Sequence, residues 1–107
     1  MLTGKAKEQF ERWYMKYTGY VDPRFSDLMK KTELDKFRTY RLSMQWGVIQ
    51  DFADSLNYDL QVYNESSCVN FYADIYKLGE CLYSFEFKTR NEARTKAIEK
   101  LNEIINK

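Results

Sequence analysis

Lys88, Arg90, Arg94 and Lys96 stand close together in the last third of the chain, and the chemistry such a set performs is the binding of anions. Guanidinium forks pair phosphate or carboxylate oxygens two at a time, and lysines add point charge. Thr89-Arg-Asn-Glu92 reads as a capping box, so a helix opens in the middle of the group and its first amides face the same way. On a helical wheel Arg90 and Arg94 share an arc with Ala93, Ala97, Leu101 and Ile105, which leans both cations toward the core. They are a like-charge pair four residues apart at the positive end of a helix dipole, an arrangement that needs a negative partner. That partner is either internal (Glu86, Asp51 or Asp54) or an external anion such as a nucleic-acid phosphate held by the arginines and the helix-start amides.

Other chemistry is thinly supplied. Asp51 and Asp54 lie three apart on one helix and make a carboxylate pair of the kind that holds a divalent cation, although solvation of a helix face explains them as well. The chain has no histidine. This removes Ser-His-Asp and Cys-His catalysis, histidine-ligated zinc and most neutral-pH proton shuttling. Its two cysteines, Cys68 and Cys81, cannot complete a four-thiolate site. They fall at opposite ends of paired strands, too far apart to bridge, and are expected as free thiols in a reducing compartment. The reading is a non-enzymatic protein with no cofactor, no metal and no identified small-molecule substrate.

The elements that must position these groups follow from periodicity. Strands are expected at 69–77 and 81–88, folded about Leu78-Gly79-Glu80 so that Ile75 faces Tyr83, Ala73 faces Phe85, and Phe71 faces Phe87. The final helix buries Ala93, Ala97, Ile98, Leu101, Ile104 and Ile105. Upstream, Ser43 is placed as the cap of a helix running to Leu56, with Val48, Ile49, Phe52, Ala53 and Leu56 apolar and Asn57 at its end. Gly47 inside that helix suggests a close backbone crossing, or room for Trp46. A strand with Leu60 and Val62 inward follows, then a turn at Asn64-Glu65-Ser66-Ser67. Earlier still, a helix is expected from Lys5 to Tyr17, then a turn at 18–23. Residues 19–42 read as an irregular connection with short helical turns capped by Ser26 or Thr32.

The fold class is therefore α+β: a three-stranded antiparallel sheet with two helices packed on one face, preceded by an aromatic-rich N-terminal helix. At 107 residues the chain is a single domain. Residues 1–42 form the N-terminal helix and connection, and residues 43–107 form the helix–strand–strand–strand–helix core. Phe71, Phe85, Phe87, Phe52, Leu101 and Ile104 are the expected core, with Tyr63, Tyr72 and Tyr76 on the opposite sheet face.

Aromatic residues make up 17% of the chain, more than its interior needs. Two surfaces offer themselves for a protein partner or a second copy. One is the stripe Phe10, Trp13, Tyr14 and Tyr17, which packs on its own domain or on something else. The other is the tyrosine face Tyr63, Tyr72 and Tyr76, where three rings on an open sheet could also stack bases. The net charge of +1 gives no global field toward nucleic acid. No apolar run approaches a membrane span, and no signal-peptide core is present, so a cytoplasmic protein without membrane contact is expected.

The order helix–three strands–helix, closing in Lys88-Thr-Arg90-Asn-Glu-Ala-Arg94-Thr-Lys96-Ala, resembles the double-stranded-RNA-binding-domain fold over residues 43–107. The resemblance implies phosphate contacts from Lys88, Arg90 and Arg94. That family reads a minor groove through a Gly-Pro-x-His type of loop, where this chain has Asn64-Glu65-Ser66-Ser67. The Phe-x-x-Trp-Tyr helix, Met44-Gln-Trp-Gly-Val-Ile-Gln-Asp-Phe52 and the Thr-Arg-x-Glu-Ala-Arg helix together look like small uncharacterised bacteriophage and prophage proteins. This implies the cytoplasm of a bacterial host and no particular activity. A protein-interaction or self-association module is the first expectation, and nucleic-acid binding through the start of the last helix is the second.

Overall fold

The computed structural model describes residues 2–17, 27–64 and 70–107, with residues 27–30 described by their helical backbone alone. The turn expected at 18–23, the cap at Ser26, the residues Glu65, Ser66 and Ser67 of the second turn, Cys68, and Val69 at the start of a strand lie outside the described residues. The elements are α1 (Gly4–Tyr17), α2 (Asp27–Thr39), α3 (Leu42–Ser55), β1 (Tyr58–Asn64), β2 (Phe71–Lys77), β3 (Glu80–Phe87) and α4 (Arg90–Asn106). The strands form one antiparallel sheet in the order β1-β2-β3.

Alternation decides which sheet face is covered. Leu60, Ala73 and Ile75 point inward and are fully buried against Ile49 and Phe52 of α3 and Ala93, Ala97 and Leu101 of α4. Helix α3 lies chiefly on β1 and α4 chiefly on β2. The register pairs Phe71 with Phe87, Ala73 with Phe85, and Ile75 with Tyr83. All three pairs agree with the alternation, since a slip by one residue would turn every apolar side chain to the other face. The turn is tighter than expected, because Lys77 pairs with Glu80 across Leu78-Gly79. Both turn residues have positive φ, +52° and +85°, as a two-residue hairpin turn matching the sheet twist requires. A bulge opposite Ile75 and Tyr76 takes up the difference at Leu82.

Helix α1 packs on α3 and α4 and does not cover the outer sheet face. Its Phe10 ring meets Phe52 of α3 edge-on at 5.3 Å and Phe37 of α2 at 5.1 Å, and Tyr14 meets Phe37 at 5.3 Å. Ala6, Phe10 and Tyr14 are buried, whereas Tyr17 is 52% exposed. The far end of the chain holds the start of α1. Asn102 Oδ1 accepts from the Thr3 amide at 2.8 Å, Asn106 Oδ1 accepts from the Ala6 amide at 2.9 Å, and Asn106 Nδ2 donates to the Thr3 carbonyl at 2.9 Å. Two amides that a helix start leaves without intrahelical partners are thereby satisfied from 99 and 100 residues away.

Four expectations are corrected. Residues 27–39 are one continuous helix, with Thr32 inside it, because Phe37 docks in the aromatic cluster and Gln45 Nε2 donates to the Phe37 and Arg38 carbonyls at 3.1 and 3.2 Å. The start of α3 lies two residues earlier than expected: Arg41 is the cap position, with no side-chain cap, and Ser43 is inside. Gly47 crosses nothing, since an added Cβ would meet no atom within 4 Å. Phe71, Phe87 and Ile104 are only half-buried against the core, and Phe85, also half-buried, stands outside it. For Phe85 and Phe87 the reason is position: β3 is an edge strand and α4 runs mainly over β2, so the inward rings of β3 have helix on one side alone. Asn57 ends α3 as expected, at φ +66°.

Candidate functional site

The basic group stands where β3 hands over to α4. Thr89 is the cap, extended at φ −126°, and its hydroxyl accepts from the Glu92 amide and donates to the Glu92 carboxylate, both at 3.1 Å. The helix start therefore already has a carboxylate above it. The cap takes the Glu92 amide, so an anion arriving here would rest chiefly on the arginine side chains.

Lys88 and Arg90 are exposed and Arg94 is half-buried. Among the described residues none of the three forms an ion pair, whereas Lys96 reaches Glu99 at 3.9 Å. The internal neutralisation expected from Glu86, Asp51 or Asp54 is not found. Glu86 takes a hydrogen bond from Asn70, and Asp51 takes one from the Tyr17 hydroxyl at 3.1 Å. The carboxyl of Asp54 is raised above its ordinary range, by burial first and then by Asp59 and Asp51, the opposite of what a cation neighbour would do. Arg94 Nε is buried with no hydrogen-bond partner among the described residues. Burial first, and repulsion from Arg90 second, lower the Arg94 pKa. A desolvated guanidinium N–H without an acceptor is an anion-seeking group.

From this start α4 runs back along β3, and cations lie over the rings beneath. The Arg90 guanidinium is 5.2 Å from the Phe71 ring centroid, Lys96 Nζ 5.8 Å from Phe85, and Lys100 Nζ 4.2 Å from Tyr83. The rings form a ladder: Tyr83 and Phe85 are parallel within 5° at 6.2 Å, and Phe87 follows at 6.4 Å. Lys100, which motif reasoning missed, is held by Glu103 at 3.0 Å, and that bond raises the lysine and lowers the carboxyl. Its signal was its place four residues after Lys96, above a strand running the other way.

The outer sheet face is closed on itself. Asp74 is buried at the centre, where it accepts from Ser84 Oγ at 2.7 Å, the Tyr63 hydroxyl at 2.9 Å and the Tyr76 hydroxyl at 3.3 Å. The Tyr63 and Tyr72 rings stack on one another at 5.4 Å. Repulsion by the Asp74 carboxylate is the first cause of a raised Tyr76 pKa. These tyrosines satisfy a buried carboxylate, which accounts for them without a bound base. In the N-terminal stripe Phe10 and Tyr14 are core, Trp13 is half-buried with its ring 4.7 Å from that of Tyr17, and only Tyr17 reaches the surface. A groove of about 410 Å³ between α1 and α2 has Leu2, Phe10, Leu34 and Phe37 as its floor, and at its rim Glu11 ties Lys7 and Arg38.

Among the described residues no group of three or more acidic or thiol side chains is placed to hold a metal ion, and no helix is long and apolar enough to cross a membrane. Cys81 is an exposed free thiol. Comparison with protein-family models, with curated proteins and with solved structures gives no match to this chain.

Proposed function

We propose that this chain binds nucleic acid by gripping the phosphate backbone with Lys88, Arg90 and Arg94 at the start of α4, with Lys96 beside them. The observation that carries the reading is the absence of any carboxylate on the first three among the described residues, together with the acceptor-less Nε of Arg94. Two arginines four residues apart at a helix start repel each other and the helix dipole, and a phosphate removes both penalties at once. The helix–three strands–helix order adds a likeness to double-stranded-RNA-binding domains, as analogy alone. Fluorescence anisotropy at low salt, with labelled RNA and DNA, tests the proposal. Binding that weakens with salt, and that is abolished by Arg90→Ala with Arg94→Ala while the fold persists, is the expected result. Unchanged binding in the double variant, or none in the wild type, would overturn it.

A second reading, self-association, rests on Tyr17 at 52% exposure and on the outer edges of β1 and β3, which pair with no strand among the described residues. Sedimentation velocity that finds a monomer at all concentrations removes it.

A further inference from the structure

We infer that the nucleic acid is single-stranded and lies along the seam between α4 and β3, with its bases stacked on Phe85 and Phe87. The inference rests on the nucleic-acid reading above and adds to it the form of the strand and the residues that select that form.

Three features of this seam point this way. First, Phe85 is a large apolar ring that is only partly buried and stands outside the central core cluster, although its strand phase aims it inward. Second, the ladder of rings has a step of 6.2 and 6.4 Å. That step is wider than the roughly 3.4 Å step of a duplex strand, so one ring can serve one base of a strand drawn out from that form. Third, the ladder leads directly from the unpaired cations at the start of α4, because Phe87 pairs with Phe71 and Phe71 lies beneath Arg90.

A duplex would gain little here. Its bases already stack on one another and offer no free face to Phe85 or Phe87, whereas an unpaired strand offers one at every nucleotide. The tyrosines of the outer face are no rival platform, because Tyr63 and Tyr72 stack together and Asp74 holds Tyr63 and Tyr76.

Charge along the seam is uneven, and this sets the form of the binding. Lys96 and Lys100 have their own carboxylates in Glu99 and Glu103, so phosphate contacts fall to the Lys88–Arg94 end while stacking holds the strand further along. About three phosphates are neutralised, and log K should fall against log salt with a slope of about −2, roughly −0.7 per phosphate.

The competing account of the same contacts is a seal, in which lysine stems cover rings that the edge strand leaves open. Anisotropy titrations separate the two, using a labelled oligothymidylate, the same strand paired with its complement, and inorganic polyphosphate as a competitor without bases. The expected results are tighter binding of the single strand than of the duplex, and a loss of about tenfold or more for the oligothymidylate in Phe85→Leu with Phe87→Leu. In that variant the salt slope and the competition by polyphosphate should stay unchanged, whereas Arg90→Ala with Arg94→Ala should abolish binding of the strand. Phe85→Tyr keeps the ring and should keep the affinity, which guards against a folding defect in the leucine variant. Equal binding of single strand and duplex, or an oligothymidylate affinity indifferent to the leucine substitutions, overturns the inference and leaves phosphate binding standing. A wild type that binds none of the three overturns both.

Discussion

Gly47 sits on the exposed side of α3, where an added methyl group would touch nothing within 4 Å. A glycine inside a helix loses more backbone entropy on folding than alanine does, so Gly47→Ala should stabilise the protein by about 0.5–1 kcal/mol, read as a higher urea midpoint with an unchanged slope. Leu78 is a second residue at odds with its place. It holds φ +52° in a two-residue turn and is 82% exposed, so its side chain packs on little and its Cβ strains the backbone. Asparagine tolerates that conformation, and Leu78→Asn should add about 1 kcal/mol, measurable in the same melts. Phe85→Ala shows how far edge position changes an energy. A phenylalanine fully in the core would cost about 3–5 kcal/mol on truncation, but Phe85 is half-buried and outside the cluster. A cost of about 1–2 kcal/mol is expected, small enough for variants at this position to be compared as folded proteins.

Between elements, the joint most exposed to test is the one by which α4 holds α1. Replacing Asn102 and Asn106 by alanine removes the acceptors of the Thr3 and Ala6 amides and one donor to the Thr3 carbonyl. A lost cap of this kind costs about 1 kcal/mol or somewhat more per bond. The double variant should lose about 2 kcal/mol, with Trp13 fluorescence, read in a Trp46→Phe background so that it reports on α1, changing before the far-ultraviolet signal collapses. The asparagines stand at the end of an apolar helix pattern, where nothing local marks them as partners of residues at the other chain terminus. The β2–β3 register, by contrast, was legible, because one pairing satisfies Ile75, Ala73 and Phe71 together. Helix α2 was not, because Leu34 and Phe37 are too sparse for a periodic stripe and the helix depends on the Phe10 and Tyr14 rings and the Gln45 amide. The candidate site divides in the same way. A helical wheel places Arg90 and Arg94, while the engagements of Glu86 and Asp51 elsewhere are tertiary facts.

Across the whole molecule the charges separate along the sheet. Lys88, Arg90 and Arg94 stand at the end where Phe87 pairs with Phe71, and Asp54 and Asp59 share a hollow with Leu78 at the other end, beside the hairpin turn. Seven strand residues lie between, a span of about 20 Å, or some two Debye lengths at physiological salt. The basic end therefore cannot relieve the acidic one. Lys77, beside that hollow, lies over the Tyr58 ring at 4.8 Å. The folded protein accordingly raises the Asp54 carboxyl through burial and through Asp59 and Asp51. The sign follows from proton linkage: between the unfolded carboxyl range, about 4, and the higher folded value, the folded chain holds the proton more tightly, so stability falls as pH rises through that window. Above it the penalty is constant, and below it the penalty is absent. Asp54→Asn should then raise the melting temperature at pH 7, and its advantage over the wild type should disappear as pH falls below about 4. Thermal melts of the two proteins across that range measure the difference directly. An advantage that persisted undiminished in acid would trace to the amide's own hydrogen bonds rather than to charge. The same substitution leaves the α4 start untouched, so oligonucleotide affinity should not change beyond the small gain expected from removing one distant like charge of the phosphates.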